Sequence, residues 1–399
     1  MPEVLELKER TVLVSSLHVR KYFRRCWSWI PVVVAAIALL LPGVARAQVW
    51  NWKSEDVDKS AGATSIAVDA DGNVHVTYGT DAAEWKYAFR PAGTSRWDTT
   101  VLAPGAVNYV NLALDAAGNP HVCSTFHRLK YAEFNGKTWS IQDVAPDASD
   151  IQYSCSVGVS PDGTPHLAWY KVENPDKTSY VHLKYASLLD GMWVARTVDF
   201  DTQTGKWHSM AVDSKGVPHL SYDAYVDGRM KYAIWLKDAW NVHVVQARIP
   251  GDPEYNIGMG NDLVLDAAGH AHISYYTTHE LRYASEAGDR WNVQTVDQVR
   301  SNGGWVSYRS SVVLDKSGNP HIIYQDGSSE KHAYWDGKTW HVQLIVPSGP
   351  DGNRFASLAI DKNDVLYVSY RDSSDGSLKV AIGTPRTAPA QTAATATPQ

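Results

Sequence analysis

Six histidines recur at one fixed place along this chain: His75, His121, His166, His219, His272 and His321. Imidazoles at regular spacing are raw material for a metal centre. Here, however, the spacing is 45–53 residues and each histidine heads its own copy of a local pattern. Six groups spread one per copy cannot converge on one ion. A buried hydrogen bond in each copy is the better reading, and the expected partner is the Ser, Asn or Asp that recurs upstream. Those partners are Ser65, Asn111, Ser156, Ser209, Asp262, Ser311 and Ser357. The acids just before the histidines, beginning with Asp69-Ala70-Asp71-Gly72, invite a calcium reading. The second acidic position becomes Ala117, Lys215, Ala268 and Ser317 in other copies, and no twelve-residue loop ending in Glu follows. Tight-turn chemistry, with Asp bonding its own backbone and Gly taking positive φ, accounts for them. No metal and no cofactor is therefore expected, and no nucleophile elbow, zinc-binding or phosphate-loop motif is present.

What does not repeat is more informative about chemistry. Upstream of each repeated turn lie Tyr109, Tyr153, Trp207 with His208, Tyr308 with Arg309, and Arg354 with Phe355, with Trp305 close by. Downstream lie Asp223, Tyr276 and Arg371. Aromatic faces stack on the C–H side of sugar rings, and an arginine fork grips a carboxylate or sulfate. Arg309, Arg354 and Arg371 come from the last two copies and are expected to converge. The competing reading is that the aromatics plug a channel and the arginines pair with neighbouring acids. For catalysis, His127, His208 and Tyr308 are the candidates for acid–base work.

These residues hang on a repeat. The pattern Asp-x-x-Gly-x-x-His-h-x-Tyr occurs in seven versions, anchored at Asp69, Asp115, Ser160, Asp213, Asp266, Asp315 and Asp361. Each is followed by a second element, Leu-Lys-Tyr-Ala or a variant, at 85–88, 129–132, 183–186, 230–233, 281–284, 330–333 and 378–381. A third element opens with Trp97, Trp139, Trp193, Trp240, Trp291 or Trp340, and the seventh copy ends before reaching it. The missing piece is at the other end, where Trp52–Val57 matches the fifth copy's third element. Alternating apolar positions, Gly-containing turns and the absence of helical periodicity give four antiparallel strands per copy. The expected fold is all-β, a seven-bladed β-propeller whose N-terminal strand closes the seventh blade and leaves no unpaired edge at the seam.

The chain has 399 residues, of which 44% are hydrophobic and 20% charged. Residues 1–47 read as a signal peptide: Lys21, Arg24 and Arg25, an apolar run from Ile30 to Leu41, then Ala45-Arg46-Ala47. Cys26–Ala45 is also long enough to serve as an uncleaved anchor. The propeller is assigned to 48–382, and the Thr/Ala/Pro-rich 383–399 to a disordered tail. Without residues 1–47 the formal charge of -6 becomes -10, which argues against nucleic acid as a partner. Cys123 and Cys155 remain, either bridged in an oxidising compartment or as two buried thiols. The expected protein is a monomer, secreted or at the cell surface, with no membrane contact after cleavage.

The repeat, Asp-x-x-Gly-x-x-His-h-x-Tyr followed by Leu-Lys/Arg-Tyr-Ala, resembles those of secreted bacterial propellers of the sialidase-like, or BNR-repeat, group. It is also similar to the repeats of propeller polysaccharide lyases such as the ulvan lyases. The resemblance covers about 49–382 and is one of scaffold. The sialidase Asp-box, Ser-x-Asp-x-Gly-x-x-Trp, is not met, and sialidases have six blades. It implies Arg309, Arg354 and Arg371 as an arginine triad if the chain is sialidase-like. If it is lyase-like, it implies His127 and His208 as the nearest equivalents of catalytic histidines. The expectation is a ligand site at the channel mouth for a glycan, acidic glycans included. The alternatives are a lyase or glycosidase acting on uronate- or sialate-containing glycans, and a protein-docking scaffold.

Overall fold

The structure is a computed structural model. It describes residues 48–126, 128–144, 151–172, 181–201, 203–251, 256–299, 309–327, 329–346 and 354–387, with 48, 151–153, 172, 346, 354, 355 and 387 described by backbone alone. The signal-peptide assignment at 1–47 lies outside the described residues.

Seven sheets of four antiparallel strands form a β-propeller. In blade 1, strand A is Thr64–Val68, B is Val74–Gly79, C is Glu84–Arg90 and D is Asp98–Pro104. Burial falls outward across the blade: strand B is buried along its whole length and strand D is mostly exposed. Strands A of successive blades pack side by side around the axis, and strand A of blade 7 packs on that of blade 1.

The turn acids do what turn chemistry requires. Asp69 Oδ1 accepts from the backbone N–H groups of Asp71 and Asn73, at 3.0 and 2.8 Å, and Gly72 takes φ +89°. The same pair of bonds recurs at Asp115, Asp213, Asp266, Asp315 and Asp361.

The repeated histidines are structural, but with a different partner from the one expected. His75 Nδ1 meets the Tyr87 hydroxyl of strand C at 2.6 Å, and His121–Tyr131, His166–Tyr185 and His219–Tyr232 do the same at 2.5 Å. His272 pairs with Tyr283 likewise. Burial pulls these imidazoles below their ordinary range, so they are neutral near pH 7. Each such tyrosine in turn receives the edge of the next blade's strand D tryptophan, as in Tyr87–Trp139 at 4.9 Å and Tyr131–Trp193 at 5.2 Å.

The Ser/Asn/Asp series expected to hold the histidines ties neighbouring strands A together instead. Ser65 Oγ accepts from Leu112 N at 3.2 Å, Asn111 Oδ1 from Val157 N at 2.9 Å, and Asp262 Oδ2 from Val312 N at 2.9 Å. Ser311 Oγ accepts from Leu358 N at 3.2 Å, and Ser357 Oγ from Ile66 N at 3.4 Å, which closes the circle. Ser156 donates to the His208 carbonyl and Ser209 to Asp262 Oδ1. The physical reason is register: Ser65 stands opposite Thr77, one same-face pair along the strand from His75, and its hydroxyl is taken by the next strand A, whereas Tyr87, opposite Thr77 on strand C, is long enough to reach His75 diagonally.

Blade 7 is built from both ends of the chain. Its strand order places Gln48–Asp58 outside Leu378–Thr387, with Leu366–Arg371 and Arg354–Ile360 inside. The last strand therefore runs five residues past the expected boundary at 382, because 383–387 pair with Trp52–Gln48. Residues 388–399 of the expected tail lie outside the described residues. Gly383 is required here: a Cβ would come within 2.7 Å of the Trp52 ring. Blade 6 adapts to the same seam. His332 replaces the usual strand C tyrosine, bonds His321 at 3.0 Å and takes the edges of Trp50 and Trp52, each at 5.5 Å.

Candidate functional site at the channel mouth

The seven strands A enclose an axial channel whose upper part is a cavity of about 60 Å³, lined by residues from every blade. Above the polar waist its wall includes Thr64, Ser154, Trp207, Asn261, Arg309 and Ser310. That volume holds about four waters, well under the several hundred Å³ of a cleft that swallows a whole ligand. A cavity of this size admits a small group and not a whole sugar ring.

Arg309, immediately before strand A of blade 6 (Ser310–Leu314), is the one cation lining this cavity among the described residues. Its guanidinium lies 5.1 Å from the centroid of the Tyr109 ring. None of its N–H groups donates to an acceptor among the described residues. Burial works against its charge, and the Tyr109 and Asp262 environments partly restore it. Asp262 does not neutralise it by direct pairing, since its oxygens are held by Ser209, Ser311 and Val312 N. Trp207 lines the same cavity and packs against the blade 5–6 core.

The other expected site residues fall in different places. His208 is buried, its Nδ1 2.9 Å from the Gly205 carbonyl and 3.1 Å from Ser154 Oγ, its Nε2 3.2 Å from the Ala168 carbonyl. Burial drops its pKa to about 4, and both ring nitrogens have protein partners. Tyr276 is fully buried, and its hydroxyl bridges to Gln325 of the next blade at 3.0 Å. Asp223 is 1% exposed; Oδ1 accepts from Trp207 N at 2.9 Å while Oδ2 has no partner among the described residues, and burial raises its pKa to about 7. It sits behind Trp207 and fixes that residue's backbone.

Convergence of three arginines is not what the described residues present. Arg371 bonds the Ala61 carbonyl and Asp81, the latter at 2.8 Å, and so stitches blade 7 to blade 1. Arg354 and Phe355 lie on strand A of blade 7, where Arg354 is the register partner of Arg371, and their side chains are outside the described residues. The side chain of Tyr153, on strand A of blade 3, is outside them too. So are His127, Trp305 and Tyr308 altogether. The bridge between Cys123 and Cys155 is formed and joins strand B of blade 2 to strand A of blade 3.

One buried acid escaped the site reading. Glu330 is 3% exposed, and burial alone raises its carboxyl to about 8. The signal was in the sequence: Glu-Lys-His-Ala replaces Leu-Lys-Tyr-Ala at that copy.

No family model matches the sequence, and no curated protein matches it. Among solved structures the chain is similar to the BP39L lectin of Burkholderia pseudomallei, with a TM-score of 0.61 and 12% identity, over 82% of this chain and 98% of that one. It is also similar to the polysaccharide lyase Uly1, with a TM-score of 0.50 and 12% identity, over 80% and 88%. AofleA of Arthrobotrys oligospora scores 0.50 at 12% identity, over 75% and 91%. At such identities the likeness is one of fold.

Proposed function

We propose that this chain is an extracytoplasmic glycan-binding propeller that holds an acidic group of its ligand at the channel mouth. The observation that carries this reading is Arg309: a recessed cation, lining the axial cavity, with no hydrogen-bond acceptor of its own among the described residues. Holding a desolvated guanidinium this way costs stability, and an anionic ligand recovers that cost. A carboxylate or sulfate matches the fork and fits a cavity of about 60 Å³. The sugar ring then rests outside, within reach of Trp207 and Tyr109.

Binding is placed ahead of lyase or glycosidase chemistry because His208, the described candidate base, has both nitrogens occupied. Extracytoplasmic placement is supported by the signal-like N-terminus and by the Cys123–Cys155 bridge, a bond that persists in oxidising compartments. That some propellers of similar fold are lectins, BP39L among them, fits the reading.

The test is affinity electrophoresis against neutral, uronic, sulfated and sialylated polysaccharides, with Arg309→Ala run alongside. Retardation by an acidic glycan, weakened at least about tenfold in the variant, is expected; a tenfold loss corresponds to about 1.4 kcal/mol. Retardation by no glycan, or equal retardation of the variant, overturns the proposal and moves protein docking to first place.

A further inference from the structure

A second cavity, of about 390 Å³, lies in the seam between blades 1 and 2, at the end of the blades that carries the A–B turns. That end is opposite the channel mouth. Its walls are aromatic: Tyr87 and Phe89 from strand C of blade 1, and Phe134 and Trp139 from strands C and D of blade 2. Tyr87 meets Trp139 edge-on at 4.9 Å, Phe134 tilts on Trp139 at 5.4 Å, and Phe89 packs on His75 at 5.2 Å. Asp98 and Thr100 of strand D supply a carboxylate and a hydroxyl at the rim; both are exposed, and Asp98 Oδ2 is paired with Arg96 at 2.8 Å, which leaves Oδ1 as the acceptor. No lysine or arginine is among the described residues that line it.

The repeat separates this cavity from ordinary packing. The residues that stand where Phe89 stands are Glu133, Ser187, Ile234, Ser285, Tyr334 and Ile382 in the other six blades. Among the described residues no other seam lines one space with two phenylalanines, although the chain has only 6 Phe. Two of those six are placed to line one space. Trp235 and Trp335 stand where Phe134 stands, each against its own strand D tryptophan, but the preceding blades set Ser187 and Ser285, not phenylalanine, across those seams.

Size and lining together define the occupant. The volume lies within the roughly 300–1,000 Å³ of small-ligand clefts, which are mostly apolar with a few polar groups. Aromatic walls take a ligand with an apolar face. A rim whose one exposed carboxylate is already paired with Arg96 offers hydrogen-bond acceptors without net charge, which favours an uncharged hydroxyl donor. We propose that this seam is a second ligand site that takes one uncharged, hydroxyl-bearing ring, a neutral sugar residue. Its apolar face packs on Phe89 and Trp139, and its hydroxyls donate to Asp98. This site is independent of the channel mouth, where a cation lines the cavity.

The probes are methyl hexopyranosides, methyl deoxyhexopyranosides, a methyl uronide and choline, each titrated into the full chain by calorimetry and saturation-transfer NMR. The variants are Phe89→Ser, Thr100→Arg and Arg309→Ala. Phe89→Ser installs what blades 3 and 5 already carry. Thr100→Arg is on an exposed strand and blocks the cavity without touching the core, so it decides the matter if Phe89→Ser fails to fold. A neutral glycoside is expected to bind, at least about tenfold more weakly in both seam variants and unchanged in Arg309→Ala. The proposal is overturned if no neutral glycoside binds, if neither seam variant weakens it, or if choline or the uronide is preferred.

Discussion

The waist of the channel and its mouth are built on the same seven strands and differ in one respect: whether the blades agree. At the waist, every blade supplies a Ser, Asn or Asp, and every one of them hydrogen-bonds the next strand A around the closed circle. A few residues higher, each blade supplies something different: Ser154 in one, Trp207 in another, Arg309 in a third. The waist groups satisfy one another. Arg309 lies over the Tyr109 ring, but none of its N–H groups donates to an acceptor among the described residues. Repetition in a closed ring marks what every blade needs in order to stay attached. Departure from it, with an unspent charge, marks what the ring is free to use on something else.

The comparison can be broken from the scaffold side, and the largest effect is expected at Glu330. Six blades hold an apolar residue at that position, and blade 6 buries an acid. Its carboxyl titrates near 8 in the folded chain against an ordinary 4.5. The folded state thus holds the proton more tightly than the unfolded one. The stability this lends is full below the ordinary range and is lost as pH rises through 8. Glu330→Leu is expected to be more stable than the parent by on the order of 4 kcal/mol at pH 9, with a much smaller gain at pH 5. Chemical denaturation at the two pH values checks it, and a pH-independent difference refutes it. The next largest effect is the bridge. Cys123→Ser with Cys155→Ser opens a loop with a sequence separation of 32 and should cost about 3–4 kcal/mol, read as a lower denaturation midpoint. Third is the waist itself. Asp262→Ala leaves Val312 N and two serine hydroxyls without their acceptor and should cost about 2 kcal/mol, whereas Asp262→Asn keeps most of it.

The extent to which the sequence foretold this division follows the same line. Seven copies of the turn, the Leu-Lys-Tyr-Ala element and the stray Trp52–Val57 segment were enough for blade number, strand order and the N-terminal closure. Repetition multiplies a weak local signal by seven. The histidine partners were misassigned because two hydroxyl-bearing positions, the strand A serine and the strand C tyrosine, recur with the same period. Sequence spacing alone does not say which one lies beside the imidazole. Arg371 was grouped with Arg309 for a similar reason: adjacency in blade number is not convergence. Its actual partner, Asp81, lies 290 residues away across the closure seam. The seam cavity at Phe89 and Phe134 was not legible either, since it depends on two different strands C meeting across a blade boundary.

The smallest stability effect belongs to the residue with the largest expected effect on binding. Replacing Arg309 removes one ring contact, to Tyr109, and no hydrogen bond to a described residue. It also removes a cation whose charge the surroundings disfavour. These terms oppose each other, so Arg309→Ala should match the parent within about 0.5 kcal/mol, or slightly exceed it. A scaffold arginine behaves differently: Arg371→Ala breaks the pair with Asp81 and the bond to the Ala61 carbonyl at the seam, and should cost about 1 kcal/mol. Thermal midpoints and polysaccharide retardation measured on the same preparations separate the two arginines. If Arg309→Ala unfolds several degrees early, its guanidinium is holding the channel together and the mouth is scaffold after all. If it keeps its midpoint and loses its ligand while Arg371→Ala does the reverse, the line between waist and mouth stands where the repeat draws it.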